Sequence, residues 1–404
     1  MLYILSALLL FTPLARGAVQ EWAVGGVLLS ALATGTLLLF RLSWKQDTFW
    51  PATCLDRPII ALLILSAGSL FFSVHLYTSI IAAGQLLSLL LIYYSVVQVA
   101  QKPSGVLFLF YWITGISTLL CCIALVKRYE IPLFPWWNYT DLSYPETWLT
   151  ATFANHNHLA GWLEMSMPLL LCSVLFNRHK KWLILQIPLL FLQVICLILT
   201  FSRGGYAGAI AAVGFILIWT LMYTKRRHGK IILLSCLTAL ILGGILLTVT
   251  PVVERMNTVI SGGFETRGLL DRMLIWRGAM DMILDNWLTG TGPGTFALAF
   301  PGFQPPGFSH RYYFAHNDYL QFTAELGIFL PIIIIWAVIV VYRSGLQSMQ
   351  HTDRLSRAMT LGSLAGITAI LVHSAVDFNL HIPANALLFS VLLAFSVYNA
   401  TESE

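Results

Sequence analysis

Apolar residues along the chain gather into blocks of about 20, the length needed to cross a hydrocarbon core about 30 Å thick. Twelve such blocks are read, near residues 1–15, 22–42, 58–74, 77–100, 105–126, 159–176, 182–201, 204–223, 230–251, 317–342, 358–376 and 383–398. The first is short, and Ala15-Arg16-Gly17-Ala18 after it resembles a cleavage site. It lacks a basic leading region and a second block follows at once, so it is read as a helix. Residues 1–404 form a single integral membrane domain: an all-α polytopic protein of about 12 transmembrane helices.

Composition sharpens that picture. The 404 residues are 58% hydrophobic and 10% charged, against roughly 25% charged in a soluble globular protein. A cytosolic enzyme, a disordered chain and a nucleic-acid binder are all excluded, and membrane lipid is the surrounding partner. Cys54, Cys121, Cys122, Cys172, Cys196 and Cys236 lack metal-ligand spacing, and all but Cys54 lie inside apolar blocks. They read as small membrane hydrophobes, not as a disulfide framework.

The net charge of +5 takes its meaning from where it falls. With the N-terminus inside, 14 of the 23 Lys and Arg residues lie in cytoplasmic segments, among them Arg41, Lys102, Lys180, Lys181, Arg226, Arg354 and Arg357. Such a bias in short loops sets orientation. Seven of the ten histidines then fall on the outer side: His75, His156, His158, His310, His316, His373 and His381. Two outer segments are long, about 127–158 and 252–316, and rich in Trp, Tyr, Pro and Gly. Long loops of that kind usually carry function. Within the second, Arg272 to Trp287 reads as an amphipathic helix with Met273, Trp276, Met280 and Leu284 on one face, resting on the bundle or the lipid interface.

Four clusters could carry chemistry. Arg203 stands in Phe201-Ser202-Arg203-Gly204-Gly205 between two spans with almost no loop. A charge at membrane depth costs about 2.5–3.5 kcal/mol, so it needs a reason. An arginine beside a helix N-terminus makes a phosphate or pyrophosphate site; the alternative is an arginine reaching for the interface. Arg272 and Arg277 lie a turn and a half apart, so one of them enters a site. The Gly290-Thr291-Gly292-Pro293-Gly294 run after them lacks the ending of a phosphate loop and reads as a tight turn. His316-Asn317-Asp318 follows: Asn317 caps a helix, Asp318, Gln321 and Glu325 share one face, and His316 stands at its lip, able to take a proton from a hydroxyl. Last come His373, Asp377 and His381, with Asn155, His156 and His158 upstream. Alignment of His373, Asp377 and His381 raises a metal, but Asn379 and Pro383 break the helix and no recognised ligand set is completed. These residues read as the polar lining of an outward cavity.

In combination these stretches resemble the O-antigen ligase and polymerase superfamily of bacterial membrane glycosyltransferases. The matching segments are Phe201-Ser202-Arg203-Gly204-Gly205, Arg272 with Trp276, Gly290 to Phe296, His316-Asn317-Asp318-Tyr319-Leu320 with Glu325-Leu326-Gly327, Val372 to Asn385 and Asn155 to Gly161, within about residues 150–385. The resemblance implies a GT-C-like fold with a large periplasmic loop, in a bacterial inner membrane. It also implies transfer of a glycan from undecaprenyl pyrophosphate to a hydroxyl acceptor, lipid A-core in a ligase, by metal-independent inverting chemistry with no cofactor. Chain polymerase, protein O-oligosaccharyltransferase and transporter are the alternatives. His316, Arg203 and Arg272 would be the catalytic set, with Arg277, Asn317, Asp318, Glu325, His373, Asp377, His156 and Asn155 toward substrate.

Overall fold

The apolar blocks become helices. The computed structural model describes residues 1–44, 51–128, 148–176, 180–223, 264–306, 311–350 and 353–397. It begins with α1 (Leu2–Leu14), α2 (Glu21–Trp44), α3 (Asp56–Leu70), α4 (Leu76–Ala100) and α5 (Pro103–Arg128). Next come α6 (His156–Phe176), α7 (Lys180–Leu199), α8 (Arg203–Tyr223) and α9 (Phe264–Asp285). The chain closes with α10 (Asp318–Leu326), α11 (Phe329–Ser348), α12 (Arg354–His373) and α13 (Pro383–Ser396). No strand occurs among the described residues. Eight of these helices are long and apolar enough to cross a membrane, and α1 and α13 are shorter apolar helices. The expected ninth block, 230–251, lies outside the described residues, as do 129–147, 252–263 and 307–310 of the two outer segments.

Burial separates a centre from a rim. In α6 and α12, 83% and 72% of the most apolar stretch is buried, against 22% in α7 and 17% in α11. Small residues let the central helices touch backbone to backbone. A Cβ on Gly366 would lie 2.6 Å from the Met165 carbonyl oxygen, and one on Gly362 2.8 Å from Leu169 Cα. On α8, a Cβ on Gly208 would lie 2.8 Å from the Ala369 oxygen. The rim helices turn Ile184, Leu185, Ile332 and Ile335 outward, an apolar surface suited to hydrocarbon.

One expectation needs correction. The tenth block, 317–342, is not one span but two helices, α10 and α11. Gly327 adopts φ 82, and the Ile328 amide donates to the Trp287 carbonyl at 2.8 Å. A Cβ at Gly327 would lie 2.4 Å from the Leu288 oxygen, so the helix stops to let residues 287–288 pass. The expected amphipathic stretch lies in α9, whose other side packs on the loop. Ile275, Ala279, Met282 and Ile283 meet Phe296, Phe300, Ala315 and Ala324. Met273, Met280 and Leu284 lie on the side away from these and are exposed, an apolar face suited to the lipid interface. Two apolar stripes run along this helix, and the loop's own core takes the one with alanine at its centre.

Candidate functional site

The start of α8 follows a strained residue. Phe201 holds φ 56, a left-handed conformation that a bulky residue adopts only when its surroundings fix it. Ser202 Oγ accepts from the Gly205 amide at 3.1 Å, capping the helix. Tyr206 donates its hydroxyl to the Ile198 carbonyl, tying α8 back to α7. Arg203 is therefore the first residue of a helix, exposed at its N-terminal end. The two glycines behind it admit neighbours: a Cβ on Gly204 would lie 2.2 Å from His373 Cδ2, and one on Gly205 2.7 Å from Ala160 Cβ.

His316 is the second strained residue, at φ 50. Both of its flanks are bonded. Ala315 donates its amide to Gln321 Oε1 at 2.9 Å and accepts the Trp276 indole N–H on its carbonyl at 2.9 Å. Asn317 Oδ1 accepts the Leu320 amide at 3.0 Å and caps α10. The imidazole turns Nδ1 toward Asp377 Oδ1 at 3.6 Å, with 27% of the His316 side chain exposed and Asp377 buried. Contacts of this length in an unliganded site shorten when substrate arrives. The ring of Phe378 stands edge-on to His316, with centroids 4.9 Å apart.

Asp377 is ionised by its neighbours. Burial alone would raise its pKa, but the contact and charge of His316, then the charges of His373 and His158, hold the carboxyl well below the usual carboxylate range. The Phe378 amide adds a hydrogen bond at 2.8 Å. His373 Nε2 approaches the second carboxylate oxygen at 3.8 Å, while its Nδ1 meets Glu164 Oε1 at 2.9 Å.

The pair Arg272 and Trp276 explains itself at this point. They are one turn apart on α9, so they face the same way. Arg272 Nη1 donates to the Val376 carbonyl at 3.0 Å, next to Asp377, and Trp276 holds the carbonyl next to His316. One face of one helix thus grips both halves of the His316–Asp377 pair. Arg277 is exposed and points elsewhere, as its five-residue offset requires.

Asp318 and Glu325, expected toward substrate, have their carboxylates bonded within the fold. Asp318 meets His381 Nδ1 at 2.6 Å and accepts from Ser374 Oγ at 2.7 Å and the Leu380 amide at 3.1 Å. It fastens α10 to the turn after α12. Glu325 accepts the Gly294 amide at 2.7 Å and the Phe296 amide at 3.2 Å. Gly290, Gly292 and Gly294 all take positive φ; the glycine run is a turn wrapped on a carboxylate, not a phosphate loop. His381 therefore faces Asp318, not His373 and Asp377, because α12 ends at His373. Among the described residues, no group of three His, Cys, Asp or Glu could hold a metal ion.

Asn155 and His156 open α6 beside this cluster. Asn155 Oδ1 accepts the Asn157 amide at 2.8 Å, and the His156 ring lies 4.3 Å from that of Trp148. His158, fully buried, has no hydrogen-bond partner on either ring nitrogen. Glu164, absent from the sequence reading, completes the cluster; a lone glutamate in an apolar block is the signal that could have found it.

The glycine turn, the paired Arg272 and Trp276, Arg203 at its helix start and His316 all lie in one segment. Residues 188–335 match the family model described as O-antigen ligase. This match supports the O-antigen ligase and polymerase family. No match is found among curated proteins. The O-antigen ligase family implies a glycosyl-transferring enzyme with a polyprenyl-linked glycan and an acceptor as its substrates. The matched segment holds His316 but not Asp377, which reaches the site from the turn after α12, or Glu164, which reaches it from α6.

Proposed function

We propose that this protein transfers an O-antigen-like glycan from undecaprenyl pyrophosphate to a hydroxyl acceptor such as lipid A-core. Transfer takes place on the periplasmic side of a bacterial inner membrane. The observation that carries the reading is the His316–Asp377 pair, held in a strained conformation between two arginine-bearing helices. Asp377 orients the imidazole through Nδ1 and leaves Nε2 to meet the acceptor. The acceptor hydroxyl gives its proton to His316 as its oxygen attacks the anomeric carbon. The bond from that carbon to the pyrophosphate oxygen breaks on the opposite face, so configuration inverts. The electron pair leaves with the pyrophosphate, where fixed cations stabilise it. Arg203, at a helix N-terminus, supplies one, and Arg272 supplies the second through the guanidinium nitrogens not used on Val376. No step in this scheme calls for a metal or a nucleotide.

The test is a gel of envelope glycolipids from a deletion strain complemented with wild type, Arg203→Ala or His316→Ala. A ligase loses its ladder in both variants while lipid-linked polymer accumulates. A single repeat unit left on the core identifies a chain polymerase, which uses the same pyrophosphate site. Full restoration by both variants overturns the reading and returns the chain to the transporters.

A further inference from the structure

Behind the proposed base lies a pair of residues that the reaction scheme leaves unused. Glu164 sits in α6 with its side chain wholly buried, and its Oε1 meets His373 Nδ1 at 2.9 Å. From there His373 Nε2 approaches Asp377 at 3.8 Å, and Asp377 approaches His316 at 3.6 Å. The four side chains form one file from the interior of α6 to the open face. The same pair supports α8. A Cβ on Gly204 would lie 2.4 Å from His373 Nε2, and one on Gly208 2.6 Å from Glu164 Oε2. Two glycines one turn apart therefore seat the Arg203 helix on these two side chains.

Stability does not explain the pair. A buried ion pair is commonly no better than a well-packed apolar one, and here Glu164 Oε2 and His373 Nε2 have no hydrogen-bond partner. Groups left so in a native interior call for a functional account. We propose that Glu164 and His373 are positioning residues for glycan transfer. They hold Asp377 toward His316 and fix the separation between His316 and the Arg203 end of α8. The inference rests on the reading of His316 as base. The titratable groups that face the pair are Asp377, His158 from α6 and Asp318 from α10.

The experiment measures transfer from an undecaprenyl-pyrophosphate-linked glycan, from pH 5.5 to 9, by the full-length protein in membranes. Wild type, Glu164→Gln, His373→Gln, their double variant, Glu164→Asp and His316→Ala are compared, with melting temperatures measured in parallel. Glu164→Gln keeps the shape and removes the charge. Each single variant is expected to lower kcat about tenfold or more with donor KM within about twofold, because geometry at the reacting atoms is lost while binding is kept. The acid limb of the rate profile should move, and Glu164→Asp should recover part of the loss. The double variant should be no worse than the poorer single, because both break one file. Wild-type kcat in Glu164→Gln, an unmoved acid limb, or losses that multiply in the double variant would each overturn the proposal. Should Glu164→Gln fail to accumulate, the decision passes to His373→Gln, which removes the link to Asp377 and leaves Glu164 in place. The same kcat loss there supports the proposal, and wild-type kcat overturns it. A fully active His316→Ala overturns the reading of the base and the proposal with it. An inactive His316→Ala beside a wild-type Glu164→Gln overturns the proposal alone.

Discussion

In the proposed reaction Asp377, 3.6 Å from His316 Nδ1, orients the base, and this fixes what Asp377 does. Asp377→Asn keeps the side-chain shape but removes the carboxylate that the proposed reaction sets against Nδ1. Transfer should fall roughly 10²–10⁴-fold, the range general acid–base catalysis contributes, with the melting temperature little changed. Activity within a factor of two of wild type would remove the dyad from the mechanism. His381 gives a second test, of stability and not of rate. Burial would lower its pKa, but the hydrogen bond and charge of Asp318, with the charge of Glu325, raise it above the ordinary imidazole value. A raised folded-state value stabilises the fold fully below about pH 6.5 and the contribution is lost as pH rises through the folded value. The melting temperature of the purified protein should therefore fall between pH 6 and pH 8.5. His381→Gln should flatten that slope; an unchanged slope would show that the pair with Asp318 contributes nothing. At this scale the sequence was partly legible. Arg203 and His316 stood out because charge and imidazole are rare beside apolar blocks. Glu164 did not, because a single glutamate between Leu163 and Met165 barely disturbs an apolar pattern.

At the scale of elements, α9 shows how a loose motif acquires meaning. Arg272 and Trp276 look like one cation and one aromatic until their acceptors are known. Those acceptors are main-chain carbonyls far along the chain, which no local pattern reveals. Trp276→Phe keeps the ring and deletes the indole N–H, leaving the Ala315 carbonyl without its donor. An unmade buried hydrogen bond costs about 1–3 kcal/mol, and here the cost falls on the strained backbone of His316. The variant should accumulate in membranes yet transfer glycan about tenfold more slowly; unchanged transfer would show that His316 needs no such support. The same limit on local patterns explains the misread tenth block. Within 317–342 the apolar residues are interrupted by Asp318, Gln321, Glu325, Gly327 and Pro331, and a glycine among them does not by itself show where a helix ends. What ends it is Trp287, whose carbonyl accepts the Ile328 amide. The face of α9 that packs on the loop was not legible for a related reason. A helix with two apolar stripes gives periodicity no means of choosing between them, and the choice was made by Phe296 and Phe300.

Over the whole molecule, the elements that build the site all reach it at one end of the bundle. The starts of α6, α8 and α10 meet there, as do the end of α12 and the turn that leads into α13. At the opposite end lie the α4–α5 joint with Lys102, the start of α7 with Lys181, and the start of α12 with Arg354 and Arg357. A short-loop bias of Lys and Arg marks the cytoplasmic side, so the site is expected to face the periplasm. The proposed transfer requires the same orientation, because an acceptor in the outer leaflet cannot be reached from the cytoplasm. In a cysteine-free background, Tyr313→Cys, at a position exposed beside the site, should react with a membrane-impermeant maleimide on spheroplasts. Lys102→Cys, exposed in the α4–α5 joint, should react only after the membrane is opened. The reverse pattern would put Arg203 and His316 in the cytoplasm. The Glu164–His373–Asp377 file could then still orient a base, but neither lipid A-core nor any other outer-leaflet acceptor could be its substrate.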